Sequence, residues 1–279
     1  MAANLAAAGF PLTVWNRTTE RAERWVERHG GTVATDPAQV ASRSDVVITM
    51  VVDGAQVESV LLGEGGAAEG AHDGLLCVDM STIGPTAARR IGERLAKRGV
   101  PFLDAPVTGS SPKAEDGTLT IMAGGDERDF VRARPLLEVM GELIVHAGPL
   151  GHGQMVKLIN NTVAAANAAV LAQALLLGRA TGVDLESLVR VMSAGAAGSV
   201  MLDLKARAML EHDFEALFKL QHMLKDLRLC LLEAEAVGVG MPLVEQVAGV
   251  LQEAVDQGLG ERDFAALLEV LEQRAGTRL

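Results

Sequence analysis

One stretch carries a residue pair able to handle a proton: Gly151-His152-Gly153-Gln154-Met155-Val156-Lys157-Leu158-Ile159-Asn160-Asn161. Lys157 and Asn161 stand four residues apart in a proline-free pattern that continues as helix to about Thr181. At that spacing both side chains project from one helical face. A lysine ammonium can protonate a developing alkoxide, and an asparagine amide can hold the oxygen that receives the proton. Met155, Leu158 and Ile159 fill the rest of the turn and are expected to be buried. On an arbitrary helix such a pair is more often a solvated face, so its chemistry depends on what the rest of the chain supplies.

Several further groups sit where ligands bind. Asn16-Arg17-Thr18 follows the apolar run Leu12-Thr13-Val14-Trp15. In a dinucleotide fold an acidic residue at that strand end favours NAD by accepting from the ribose 2′-hydroxyl, whereas an arginine accommodates a 2′-phosphate. Here Arg17 stands beside the Thr18 hydroxyl with no carboxylate, although an Asn-Arg-Thr turn is by itself an ordinary helix cap. Met50-Val51, Ser81-Thr82 and Val107-Thr108-Gly109-Ser110 each end an apolar run. Ligands of open α/β sheets bind at the carboxyl ends of strands, and a Thr-Gly-Ser loop offers N–H groups and hydroxyls to a small carboxylate. Lys225-Asp226 follows Phe218, Gln221 and His222 in a helical pattern, where a Lys-Asp pair is ordinarily surface. His222 has no partner at metal-ligand spacing, and no metal site is expected.

The elements that must position these groups divide the chain in two. Residues 1–150 alternate short apolar runs with helical patterns, which predicts a Rossmann-like parallel α/β domain. Strands are expected at 12–15, 32–33, 45–51, 75–80, 102–106, 118–123 and 143–146, with Val107 to Pro112 as a loop. Residues 151–279 show only helical patterns, broken at Gly182, Gly195, Gly198, Gly238, Pro242 and Gly258. An all-helical second domain is expected, with the boundary near Gly148–Gly151.

Composition narrows the class. A chain of 279 residues with 49% hydrophobic and 22% charged residues folds into a packed core. Its net charge of -11 opposes nucleic-acid and anionic-membrane partners. Cys77 and Cys230 form neither a disulfide framework nor a zinc motif. No uninterrupted apolar run of membrane-crossing length and no basic-then-apolar leader is read, so a cytoplasmic location is expected.

In this order, the motifs resemble the β-hydroxyacid dehydrogenases, the family of 3-hydroxyisobutyrate dehydrogenase and the glyoxylate/succinic semialdehyde reductases. The matching residues are Trp15-Asn16-Arg17-Thr18, Asp79-Met80-Ser81-Thr82, Asp104 through Ser110, Ala114 through Leu119, Gly151-x-Gly153 through Lys157 to Asn161, and Lys225-Asp226. The run from Gly109 to Gly117 and the pattern Phe218-x-x-x-His222-x-x-Lys225-Asp226 are most similar to the glyoxylate/succinic semialdehyde reductase branch. The resemblance implies that Lys157 is the catalytic acid/base, protonating the aldehyde oxygen as NADPH delivers hydride to carbon. It implies that Thr108, Gly109 and Ser110 hold the substrate carboxylate, that Asn161 fixes the substrate oxygen, and that Phe218 and Asp226 line the pocket. Asn16, Arg17 and Thr18 would take the adenosine end of NADP, with NAD possible. Met50, Val51, Thr82 and Lys225 would approach the cofactor, the last two at its nicotinamide end.

Two departures stand out. Thr108 occupies a position where the family has serine, keeping the hydroxyl. The family also opens with a strand and a G-x-G-x-x-G turn before a helix similar to Met1-Ala2-Ala3-Asn4-Leu5, and neither strand nor turn is in this sequence. That turn supplies N–H donors to the pyrophosphate, so a start assigned at an internal methionine is expected. The reading is an NADP-preferring oxidoreductase of small β-hydroxyacids and carboxylated aldehydes. The alternatives are an NAD-dependent 3-hydroxyisobutyrate dehydrogenase and a catalytically silent oligomer without a cofactor site. The Ala-rich turns at Ala164–Ala166 and Ala168–Ala169 permit close helix packing, so a homodimer or homotetramer through the helical half is expected.

Overall fold

The structure, a computed structural model, describes residues 1–279. It divides into two compact units, Met1–Lys157 and Leu158–Leu279.

The first unit runs α1 (Ala2–Ala7), β1 (Thr13–Val14), α2 (Thr19–His29), β2 (Thr32–Val33), α3 (Pro37–Ala41), β3 (Val46–Thr49) and α4 (Gly54–Leu62). It continues through β4 (Leu76–Asp79), α5 (Pro85–Ala96), β5 (Phe102–Asp104), β6 (Val107–Thr108), α6 (Ser110–Asp116), β7 (Leu119–Gly124), α7 (Glu127–Met140) and β8 (Gly141–Gly148). Local chemistry sets the helix starts: the Asp36 and Asp53 carboxylates accept from Gln39 N and Gln56 N, and Pro37 and Pro85 open α3 and α5.

Strands β3, β4 and β5 are parallel neighbours, whereas β7 runs antiparallel to β5 and β6 and parallel to β8. The sheet is thus mixed where an all-parallel one was expected. A parallel return needs a crossover, usually one helix packed on the sheet. Between Asp104 and Leu119 the chain forms β6 and the short α6 instead, and β7 enters from the opposite end. The expected loop 107–112 is accordingly a short strand followed by the start of a helix. β1 and β2 form a separate two-stranded parallel sheet. The period of two along β4 divides the core between the faces of the larger sheet. Cys77 packs with Val47, Leu61, Ile91 and Phe102, whereas Leu76 and Val78 pack with Leu103, Ile121 and Leu137.

Helix α8 (His152–Ala180) begins in the first unit and carries the chain into the second. There follow α9 (Leu185–Ala194), α10 (Val200–Glu211), α11 (Leu220–Ala236), α12 (Pro242–Asp256) and α13 (Leu267–Ala275) around a core that includes Leu171, Leu175, Met209, Leu227, Leu251 and Leu267. The only β pairing in this unit is an isolated bridge between Lys219 and Asp263, as expected for an all-helical half. α8 is long and apolar enough to cross a membrane by length and composition, but 44% of its most apolar window is buried within the protein. Its inner face joins the core through Ala165, Ala168, Leu171, Ala172 and Leu175, as in a core helix of a folded domain.

Candidate active site

Strand register places three polar residues side by side at the carboxyl edge of the parallel strands. Thr49 pairs with Asp79, and Asp79 with Asp104. Asp79 is fully buried. Its Oδ1 accepts from Thr49 Oγ1 at 2.7 Å, from Ser81 Oγ at 2.7 Å and from Ser81 N at 3.2 Å. Its Oδ2 has no hydrogen-bond partner. Burial pushes this carboxyl up to about 7 against the opposing pull of the Thr49 and Ser81 bonds. Ser81 Oγ in turn accepts from Val51 N at 2.9 Å, tying the loop that carries Met50 and Val51 to the loop that carries Ser81 and Thr82.

Asp104 holds the start of α8. Its Oδ1 accepts from Gly151 N at 2.6 Å and its Oδ2 from Gln154 N at 2.7 Å, two donors that the first turn of a helix leaves unpaired. Burial raises this carboxyl to about 6, opposed by those two backbone bonds. The close approach explains the Gly-x-Gly spacing. Gly151 has φ +91°, and a Cβ on Gly153 would lie 2.2 Å from Met122 O and 2.8 Å from Asp104 Oδ2. Gln154, fully buried, accepts through Oε1 from Ile83 N at 2.9 Å and Gly84 N at 3.1 Å and donates through Nε2 to Ser81 O at 2.8 Å.

Lys157 follows Gln154 by one turn and is 6% exposed; Asn161, a turn further on, is 4% exposed. The pair therefore lies on a buried face, not a solvated one. Of the three apolar residues around it, Leu158 is buried, Met155 is partly buried and Ile159 is 50% exposed, contrary to expectation. Ile159 lies on the outer stripe with Val156 and Val163, facing away from the core.

Within the second unit, Asn161 Nδ2 donates to Asp226 Oδ2 at 2.6 Å. Asp226 is 1% exposed, so the surface reading of Lys225-Asp226 is corrected: α11 turns Asp226 inward toward α8, while Lys225 is half-buried. Lys225 Nζ lies 3.2 Å from Asp226 Oδ1 as an ion pair without hydrogen-bond alignment. Phe218 is partly buried against the helical core and meets His222 edge-on with centroids 6.1 Å apart. Its backbone N–H donates to Asp263 Oδ2 at 3.1 Å, as does that of Leu217, and Asp263 pairs with buried Lys205 at 2.8 and 2.9 Å.

Thr108 and Gly109 are partly buried and Ser110 is exposed. Gly109 at φ +135° and Ser110 at φ +58° turn the chain sharply into α6. Ser110 is one of two non-glycine residues with positive φ, a conformation rarely adopted without reason. Asn16, Arg17 and Thr18 are exposed at the end of β1. Asn16 Oδ1 accepts from Thr18 N at 2.9 Å, and the Thr18 hydroxyl makes no cap bond to α2, which leaves that side chain and Arg17 for another partner.

The structure thus joins Val51, Ser81, Thr82 and the start of α8 on one hydrogen-bonded edge, and joins Asn161, Lys225 and Asp226 in the helical unit. Asn16 to Thr18 stand apart on the two-stranded sheet. A nicotinamide dinucleotide fits what is present. Exposed Arg17 can pair with a phosphate, and exposed Met50, beside tethered Val51, offers an apolar surface at the sheet edge. Asp79, Asp104, Gln154, Lys205 and Asp263 were given no role from sequence. Carboxylates ending apolar strands, as Asp79 and Asp104 do, were the available signal.

Residues 1–148 match the NAD binding domain of 6-phosphogluconate dehydrogenase, and residues 151–271 match the NAD-binding domain of NADP-dependent 3-hydroxyisobutyrate dehydrogenase. The chain is 35% identical over 280 residues to the 2-hydroxy-3-oxopropionate reductase of Escherichia coli, covering 100% of this chain and 95% of that one. It is 32% identical over 271 residues to glyoxylate/succinic semialdehyde reductase 1 of Arabidopsis thaliana, covering 97% and 93%. Among solved structures, the 3-hydroxyisobutyrate dehydrogenase of Mycobacterium tuberculosis superposes with a TM-score of 0.88 at 30% identity, covering 97% and 94%. The chain belongs to the β-hydroxyacid dehydrogenase family of NAD(P)-dependent oxidoreductases.

Proposed function

We propose that this protein is an NADP-preferring reductase of small carboxylated aldehydes, of the glyoxylate/succinic semialdehyde type, with Lys157 as its proton donor. The observation that carries the reading is the placement of Lys157. A buried lysine stands one turn after a helix start that Asp104 and Gln154 fasten to the sheet edge bearing Thr82 and Val51. The relatives named as reductases of such aldehydes support the substrate class.

A reduced nicotinamide, when bound, would supply the hydride for the carbonyl carbon. Lys157 Nζ gives its proton to the carbonyl oxygen, and its charge stabilises the alkoxide as it forms. Asn161 holds that oxygen, its own amide oriented by the Asp226 carboxylate. Thr108 Oγ1 and the backbone N–H groups of Gly109 and Ser110 take the substrate carboxylate. Phe218 is the proposed apolar contact for the substrate, and Arg17 with Thr18 favours a 2′-phosphate. The helical half is the proposed oligomer interface.

Replacing Lys157 by Ala is expected to abolish reduction of glyoxylate and succinic semialdehyde while NADPH affinity, read by fluorescence titration, stays within a few-fold. Unchanged turnover would remove Lys157 from the mechanism. NADPH is expected to support a higher kcat/KM than NADH. A clear advantage for NADH would favour an NAD-dependent 3-hydroxyisobutyrate dehydrogenase instead.

A further inference from the structure

Gln154 makes three side-chain hydrogen bonds, all to the backbone of one loop. It accepts from Ile83 N and Gly84 N and donates to Ser81 O. An amide is the side-chain group that offers an acceptor with two lone pairs beside a donor in one plane. With no exposed surface, none of the three backbone groups can turn to water, and each would be costly to leave unpaired. Thr82 lies inside the bracketed segment, flanked by Ser81 and Ile83. On the helix side, Gln154 N is itself held by Asp104, and Lys157 follows three residues later, about one turn on and on the same face.

We propose that Gln154 is a positioning residue. Its amide fixes the turn of α8 that bears Lys157 to the Ser81–Gly84 loop, so that the proton donor and the nicotinamide-side loop hold one separation. This rests on the reading of Lys157 as proton donor. Hydride and proton must reach adjacent atoms of one carbonyl, so a shift of either partner is felt in the chemical step. A misplacement of about 1 Å at such a site costs about 10²-fold.

The test compares Gln154→Leu, Gln154→Glu and Lys157→Ala with the parent chain. In the protein without cofactor, hydrogen exchange at Ile83 and Gly84 is expected to accelerate in Gln154→Leu. In steady state, kcat is expected to fall about 10²-fold, with KM for NADPH within a few-fold and a larger primary isotope effect from deuterated NADPH. Gln154→Glu serves if the leucine variant does not fold. Its carboxylate keeps the two accepted bonds and loses the donor to Ser81 O, and protonation restores that donor. Its kcat is therefore expected to recover toward the parent value as pH falls from 8 to 6, relative to the parent profile, which a merely structural lesion would not produce. Two results overturn the inference: unchanged exchange at Ile83 and Gly84, or accelerated exchange with parental kcat while Lys157→Ala is inactive. An active Lys157→Ala overturns the underlying reading instead, so the two failures are distinguishable.

Discussion

Asp79 is a buried carboxyl with one oxygen bonded three times and the other not at all. Such a group keeps its proton in the folded protein to about 7, against 3.8 for an ordinary aspartate. Between those values the unfolded chain releases a proton that the folded chain retains. The group's stabilising contribution is therefore complete below the lower value and is lost as pH rises through the upper one. Asn at this position cannot ionise and still presents an oxygen to Thr49 and Ser81. Relative to the parent, Asp79→Asn is expected to gain several degrees in melting temperature between pH 5 and pH 8. Parallel melting curves across that range would show that Asp79 ionises freely in the fold. The same residue organises the cofactor side, because the Ser81 hydroxyl that it accepts from also receives Val51 N.

At the scale of elements, a buried ion pair sets the loop before α11. Asp263 accepts from Leu217 N, Phe218 N, Ala265 N and Lys205 Nζ, and Lys205 also lies 4.6 Å from the Phe264 ring centroid. Removing one member of a buried pair leaves the other without compensation, at a cost of about 3–5 kcal/mol. Lys205→Met is expected to lose about that much in denaturant unfolding, and Lys205→Met with Asp263→Asn to regain part of it. Equal losses in the single and double variants would refute the pairing argument. The pair also marks a limit of what sequence can give. Strand and helix positions were legible because apolar periodicity and glycine punctuation act locally: Gly195 ends α9, Pro242 opens α12, and α8 ends within a residue of its expected stop. That Lys157 and Asn161 share a helical face was legible from their spacing, but the burial of that face was not. Long-range partners were not. Nothing local joins Lys205 to Asp263 or Gln154 to Ser81, and the inward turn of Asp226 follows from how α11 packs on α8. The direction of β7 was missed for the same reason, since an apolar alternation does not reveal from which end a strand enters the sheet.

Across the whole molecule, the outer face of α8 poses the remaining physical question. Val156, Ile159, Val163, Val170 and Leu177 recur at spacings of three, four and seven and are 42–67% exposed. They form an apolar stripe, flanked by exposed Asn160 and Asn167, on one side of a helix whose other side is core. Val200 and Leu204 on α10 and Leu232 on α11 add exposed apolar surface in the helical unit. A stripe of this length left in water is unfavourable and marks an interaction surface. A lipid partner would require Asn160 and Asn167, which interrupt the exposed side of the helix, to lose their hydration. A second copy of the same helix would bury the aliphatic stripe and leave those amides at a wet rim. The protein is therefore expected to have at least twice its 29.3 kDa chain mass by light scattering. Val163→Glu combined with Val170→Glu places charges in the middle of the stripe, so it is expected to yield monomers with an unchanged helical spectrum. A monomeric parent chain would refute self-association, and a substituted protein that keeps the parental mass would move the interface off α8.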